Sequence, residues 1–352
     1  MITFEHVKVV YDDFVALPDF DLHINEGEFF TFLGPSGCGK STALRALSGF
    51  VAPSQGKIIV GGRDVTFAHS SKRGIGMVFQ NYALFPSMNV KDNIKFGLET
   101  AKVPKAEIET RVAEAASQVD LLEDQLGKEI SELSGGQQQR VAIARALVMK
   151  PTILLLDEPL SNLDARLRRQ LRGQLKQLQE EVGITTVYVT HDQEEALSLS
   201  DRIAVLNQGQ IEQVGSPQEL YDESETEFVC TFLGETNRIS DAQVHELNQQ
   251  GAGFNPEHNH YVRLERLRFS NDSAAPDGAP VLPATVTARH YFGDHSVYDL
   301  DCLGSPLKIT AADVPHAPTK GEQIFLSADP KWIRSYDKSG RRVASNARTN
   351  HE

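Results

Sequence analysis

The chain has 352 residues, 40% of them hydrophobic and 24% charged, with a net charge of −13. This length accommodates two domains with separate cores, and the acidic balance argues against nucleic acid as the main partner, because a phosphate backbone needs a basic footprint. Cys38, Cys230 and Cys302 form neither a disulfide framework nor a zinc spacing, the first residues carry no signal-peptide pattern, and no run approaches the roughly 18 apolar residues of a membrane span. A reducing cytoplasm is the expected compartment, and any work at a membrane proceeds by docking onto another protein.

The first 33 residues alternate as strands over 2–11 and 20–24, followed by an apolar run over 28–33 that reads as a buried parallel strand. Tyr11 closes the first strand, either as a flat face for adenine or as a tyrosine on the core rim. Gly34, Pro35, Ser36, Gly37, Cys38, Gly39, Lys40, Ser41 and Thr42 then match the phosphate-loop pattern G-x-x-x-x-G-K-[ST] at every fixed position. The glycines let backbone N–H groups curl around a phosphate. Lys40 brings a positive charge to the outer phosphates, and the Ser41 hydroxyl is placed to ligate Mg²⁺. Residues 41–48 read as a helix whose positive end faces the phosphates.

Strands are expected over 56–60 and 74–79, the second ending at Gln80, whose carboxamide suits Mg²⁺ or a water at the C-terminal end of a strand. Residues 81–90 are apolar and irregular, and read equally as a partner-docking surface or as a loop tucked into its own core. A polar-faced helix is expected over 106–118 and a longer one from 133 to 149. Ser134 reads as the N-cap of the longer helix. Gly135 and Gly136, followed by Gln137, leave its first N–H groups open to an anion, unless the glycines only relieve crowding. Two such phosphate-binding ends suit two chains, each donating one to the other's nucleotide.

Residues 152–156 form a buried strand that delivers Asp157 and Glu158 at its end. Asp157 suits Mg²⁺, directly or through water, and Glu158 suits the general base for an attacking water, unless the paired acids only cap a helix. Residues 161–164 lead into a charged helix over 165–181. A strand over 185–190 ends at His191, which either reaches a terminal phosphate or is structural. A helix over 194–199, a hairpin of strands 202–206 and 210–214, and a closing helix over 219–233 complete this part.

Beyond residue 234 short alternating segments at 260–265, 284–290, 296–301, 307–310 and 322–327 suggest a small β-barrel of OB type, with a linker-like loop over 271–280. His258, His260, His290 and His295 lack a supporting ligand constellation and read as solvated. The expected organisation is an α/β P-loop NTPase domain over 1–235, an all-β OB-like domain over 236–337 and a flexible tail over 338–352.

With these residues in hand, the chain resembles the ATP-binding subunits of ABC transporters. The resemblance rests on Tyr11, the loop over 34–42, Gln80, Leu133-Ser134-Gly135-Gly136-Gln137, residues 153–159, residues 161–164 and His191, in the family's order. The C-terminal domain resembles the regulatory (TOBE-like) barrel of importers serving sugars, polyamines, ferric iron or phosphonates. The family's Arg-Pro-Glu in that barrel stands here as Arg263-Leu264-Glu265. The resemblance implies a head-to-tail dimer of two copies with two ATP molecules between them. Tyr11 would stack adenine, Lys40 and the loop would hold phosphates, and Ser41, Gln80 and Asp157 would hold Mg²⁺. Glu158 would activate water, His191 would clamp the γ-phosphate, and the partner's Ser134, Gly135, Gly136 and Gln137 would complete the site. Asp164 joins the nucleotide-binding set through the same resemblance. It further implies integral membrane permease subunits as partners, an extracytoplasmic solute-binding protein acting indirectly, a place at the cytoplasmic face of the plasma membrane, and a polyamine or ferric iron as cargo. The alternative is a soluble ABC-type ATPase not coupled to transport.

Overall fold

Phe29 and Phe30 are neighbours in sequence yet face different cores, and this period of two builds the N-terminal part of the molecule. The computed structural model describes residues 1–270, 278–312 and 317–344. The chain divides into two compact units, Met1–Pro217 and Gln218–Glu352.

In chain order the first unit holds β1 (Ile2–Tyr11), β2 (Phe14–Ile24), β3 (Phe29–Leu33), α1 (Lys40–Ser48), β4 (Gln55–Val60), β5 (Arg63–Asp64), β6 (Ile75–Val78), α2 (Val90–Thr100) and α3 (Lys105–Gln118). It continues with α4 (Gly135–Leu147), β7 (Ile153–Asp157), α5 (Ala165–Val182), β8 (Thr185–Thr190), α6 (Gln193–Leu199), β9 (Arg202–Asn207) and β10 (Gln210–Gly215). Strands β2-β1-β4-β5 form an antiparallel sheet. The second sheet has the order β10-β9-β3-β8-β7-β6, in which β9, β3, β8, β7 and β6 run parallel and β10 joins β9 antiparallel.

The parallel strands are apolar on both faces because both faces are covered. Phe30, Phe32, Ile153, Leu155, Val187 and Val189 pack with α1 and the antiparallel sheet. Phe29, Leu154, Leu156 and Tyr188 face the other way, against residues of α2, α3, α4 and α5. Each such side chain contributes about 1.5–3 kcal/mol on burial. It follows that α1 and α4 lie on opposite faces of the parallel sheet. The C-terminal carbonyls of α1 are met by Arg73, whose Nη1 donates to Ala46 O and Leu47 O at 2.8 Å each. In the segment 81–90 Tyr82 is buried, whereas Ala83, Pro86 and Ser87 are exposed.

The closing helix expected over 219–233 is two helices, α7 (Pro217–Asp222) and α8 (Glu227–Phe232). Short polar side chains between them compete for the backbone. The Ser224 hydroxyl donates back to Leu220 O, and Thr226 caps the second helix by accepting from Val229 N. Then follow β11 (Thr236–Ile239), α9 (Asp241–Gln249), β12 (Asn259–Arg263), β13 (Arg268–Ser270), β14 (Val281–Tyr291), β15 (His295–Cys302), β16 (Ser305–Ala312), β17 (Gln323–Ser327), β18 (Arg334–Tyr336) and β19 (Arg342–Val343). They form two antiparallel sheets, β11-β12-β18-β19 and β13-β17-β14-β15-β16, curled around one core that includes Leu282, Tyr298, Leu300 and Leu326. This is the OB-like barrel the alternation predicts.

Two expectations change here. The tail from 338 is paired as far as β19, which adds to β18, while residues 345–352 and most of the 271–280 loop lie outside the described residues. His260 is no solvated loop residue. It is buried on β12, hydrogen-bonded to Ser335 Oγ and Asn255 O, and burial lowers its pKa.

Candidate nucleotide site

The phosphate loop is shaped by what its glycines exclude. A Cβ on Gly34 would lie 2.3 Å from Leu206 O and 2.6 Å from Cys38 Sγ. Gly39, at φ 102°, caps α1 in the left-handed region, and a Cβ there would meet Leu17 Cδ2 at 2.8 Å. Lys40 is buried, and its Nζ donates to Gly34 O at 2.7 Å and Pro35 O at 2.9 Å, so the loop's own carbonyls aim the ammonium across its mouth. Cys38 is buried within the loop, and burial pushes its thiol up, which keeps it neutral. Pro35, Ser36, Gly37 and Thr42 lie in the loop and the first turn of α1, as the motif expects.

Strand β7 carries the acids to this loop. Asp157 Oδ1 accepts from Ser41 Oγ at 3.3 Å. Burial raises the Asp157 carboxyl above its ordinary range, outweighing the Ser41 hydrogen bond and the nearby Arg45 and Lys40 charges that lower it. A half-buried carboxylate beside a hydroxyl is a hard-oxygen donor pair, the set Mg²⁺ takes, and a bound cation would relieve the cost of holding Asp157 ionised.

Glu158 turns out of the strand with φ 45°, a left-handed conformation rare for a residue with a side chain, and its N–H donates to Val189 O at 3.0 Å. That turn places its carboxylate between two of the other candidate site residues. Oε1 lies 3.2 Å from His191 Nδ1, and Oε2 accepts from Gln80 Nε2 at 3.2 Å. Gln80 also donates to Ser161 Oγ at 3.3 Å, so in this structure it belongs to the Glu158 group rather than to the Ser41–Asp157 pair.

Residues that motif reading passed over brace this group. Asn162 donates to Gln80 O at 2.8 Å, and Ser161 Oγ donates to Glu158 O at 2.9 Å. Arg168 joins Leu163 O to Asp192 Oδ2, fixing the turn that carries His191. Glu195 accepts from Tyr188 OH and Thr190 Oγ1 beneath it. The sequence signal was the Asp192-x-x-Glu195 spacing, in which Asp192 caps α6 and accepts from Glu195 N.

Other expected residues stand apart. Ser134 caps α4 in a reciprocal box, accepting from Gln137 N at 3.4 Å while Gln137 Oε1 accepts from Ser134 N at 2.9 Å. A Cβ on Gly135 would meet Leu163 at 3.0 Å and one on Gly136 would meet Leu167 at 3.1 Å, so these glycines do relieve crowding. Because α4 and α1 occupy opposite faces of the sheet, a single chain presents the starts of these two helices apart. Asp164 accepts from Arg166 N and Leu167 N at 3.0 Å each, capping α5. Tyr11, 39% exposed, pairs with Phe14 at the tip of the hairpin whose Leu17 packs on Gly39.

Known proteins show the same organisation. Residues 17–161 match the ABC transporter family model, and residues 261–334 match the TOBE domain model. An Fe(3+) ions import ATP-binding protein, FbpC of Agrobacterium fabrum, is 40% identical over 346 residues, covering 96% of this chain and 98% of its own length. A spermidine/putrescine import ATP-binding protein, PotA of Thermobifida fusca, is 53% identical over 337 residues, covering 90% and 87%. Among solved structures, cbiO1 of Clostridium perfringens, part of a cbiONQ ABC transporter complex, matches with TM-score 0.59 at 34% identity, over 62% of this chain and 89% of that one. The cassette MJ0796, solved as a dimer bound to ADP and Pi, matches with TM-score 0.55 at 34% identity, over 62% and 99%. With a phosphate loop, a paired acid–histidine group and an appended barrel, this chain belongs to the ATP-binding, ATP-hydrolysing subunits of ABC importers.

Proposed function

We propose that two copies of this chain close head-to-tail on two ATP molecules and drive the uptake of a polyamine or ferric iron through separate membrane permease subunits. The observation that carries the mechanism is Glu158 held between Gln80 and His191, next to the Ser41–Asp157 pair. In this reading Tyr11 stacks the adenine while Lys40 and the N–H groups of residues 34–42 bind the phosphates. Ser41 and Asp157 would hold Mg²⁺, with Gln80 alongside, and the ion would neutralise charge on the phosphate oxygens.

Water attacks the γ-phosphorus and passes its proton to Glu158, and the bond to the β–γ bridging oxygen breaks to leave ADP and phosphate. His191 meets Glu158 through Nδ1, which leaves Nε2 for the γ-phosphate. Ser134, Gly135, Gly136 and Gln137 of the second copy cover the same phosphate, since within one chain they lie across the sheet, and Asp164 sits at the start of the helix packed beside them. ATP therefore touches both chains, whereas ADP lacks the shared phosphate and lets them part.

Among the described residues no helix is long and apolar enough to cross a membrane, which fits a peripheral subunit at the cytoplasmic face. Residues after Gln80, exposed at Pro86 and Ser87, face the permease in this account. An extracytoplasmic solute-binding protein would deliver the cargo. The cargo rests on the FbpC and PotA relatives, and uptake assays test it. Cells lacking this chain should regain uptake of labelled spermidine or of ferric iron with the native chain and not with Glu158→Gln. Restoration of neither solute would overturn the cargo while leaving the ATPase reading intact.

A further inference from the structure

The helix that starts at Ser134 ends against the segment that follows Gln80. Arg145, in the last turn of α4, donates Nη2 to Tyr82 O and Nη1 to Ala83 O, both at 2.7 Å. Its guanidinium carbon lies 5.5 Å from the centre of the Phe85 ring, and that ring packs 4.6 Å from the ring of Phe96. Tyr82 and Ala83 have φ of 61° and 47°. Two successive left-handed residues with side chains are an unfavourable backbone choice, and here they turn two neighbouring carbonyls toward one planar fork.

The far side of the segment is fixed as well. Asn93 of α2 is fully buried, accepts from Phe85 N, and donates to Phe85 O, Met88 O and Asn89 O. The segment is thus clamped at 82–83 and at 85–89, with Pro86 and Ser87 left exposed at its tip.

We propose that Arg145 is a positioning residue for coupling. It makes α4 and the segment 82–88 one rigid body, so that displacement of the Ser134–Gln137 end reaches the exposed tip and, through it, the membrane subunit. One helix carries both ends: the capping box at its start and the double carbonyl clamp in its last turn. Lysine keeps the charge but cannot meet two carbonyls with a fixed fork, and glutamine keeps neither the charge nor the fork. The proposal rests on the reading that residues after Gln80 face the permease.

The test uses the full chain assembled with its permease subunits in proteoliposomes. Arg145→Gln is expected to hydrolyse ATP as an isolated chain within about twofold of native and to keep its ATP-induced thermal shift, while solute moved per ATP falls at least tenfold. Arg145→Lys should recover part of that ratio. A parallel fall in hydrolysis and transport would make Arg145 merely structural, and an unchanged ratio would also overturn the proposal. A second measurement separates the two readings. Because Cys38, Cys230 and Cys302 are all buried, Ser87→Cys can be labelled selectively with a maleimide photocross-linker. An adduct with the permease is expected. Its absence overturns the docking reading itself, whereas an adduct together with an unimpaired Arg145→Gln overturns the coupling role alone.

Discussion

Glu158 combines three features: a left-handed backbone at the end of a buried strand, a histidine on one carboxylate oxygen and a glutamine on the other. Replacing it with glutamine keeps the shape and removes the proton acceptor. Steady-state hydrolysis should fall by about 10²–10⁴-fold with ATP binding preserved, measured by phosphate release and by fluorescent-nucleotide titration. Asp157 makes a prediction with a sign. Its raised pKa means that the folded chain loses stability as pH rises through that pKa, because the charged form is the one burial penalises. Asp157→Asn should therefore melt at a higher temperature than native without nucleotide at pH 8, with the gap narrowing as pH falls, and should lose the further stabilisation by Mg²⁺ and ATP. Gln139, 1% exposed on α4, has both amide atoms buried with no hydrogen-bond partner among the described residues. Gln139→Leu should stabilise the chain by about 1–2 kcal/mol in urea unfolding, since it removes a desolvated amide of similar size. The types of the site residues were legible in the motifs. The contacts Gln80–Glu158 and Glu158–His191 were not, because they join residues 78 and 33 positions apart through strand order rather than through spacing.

At the scale of elements, the parallel strands were readable because a strand buried on both faces must be apolar throughout, as Ile153–Asp157 is until its final acid. The Ser134 cap was readable for a local reason, its Gln137 partner three residues on. The same signal, Ser240 with Gln243, marks α9, a helix the alternation of its neighbours concealed. The break between α7 and α8 was missed because apolar periodicity continues through a run in which Ser224 and Thr226 divert the backbone. His260 shows what periodicity cannot supply. A buried neutral imidazole on β12 has its pKa lowered from 6.5, so its contribution to stability is full above that value and is lost as pH falls toward the folded pKa. Melting of the C-terminal unit should drop as pH falls below 6.5, and His260→Gln should flatten that slope, as read by circular dichroism against pH.

For the whole molecule, the central physical fact is the separation of two helix ends. Lys40 begins α1 on one face of the parallel sheet and Ser134 caps α4 on the other, so in the proposed dimer each chain would lend one end to its own nucleotide and one to its partner's. Sequence placed a phosphate loop and a capped Gly-Gly helix start in one chain, and sheet topology puts the two helices on opposite faces. The most direct measurement is sedimentation velocity of Glu158→Gln with Mg²⁺ and either ATP or ADP. The account predicts a dimer with ATP, a monomer with ADP, and a monomer again with ATP when Ser134→Arg is added. A monomer under all conditions, or a dimer indifferent to the nucleotide, would contradict it.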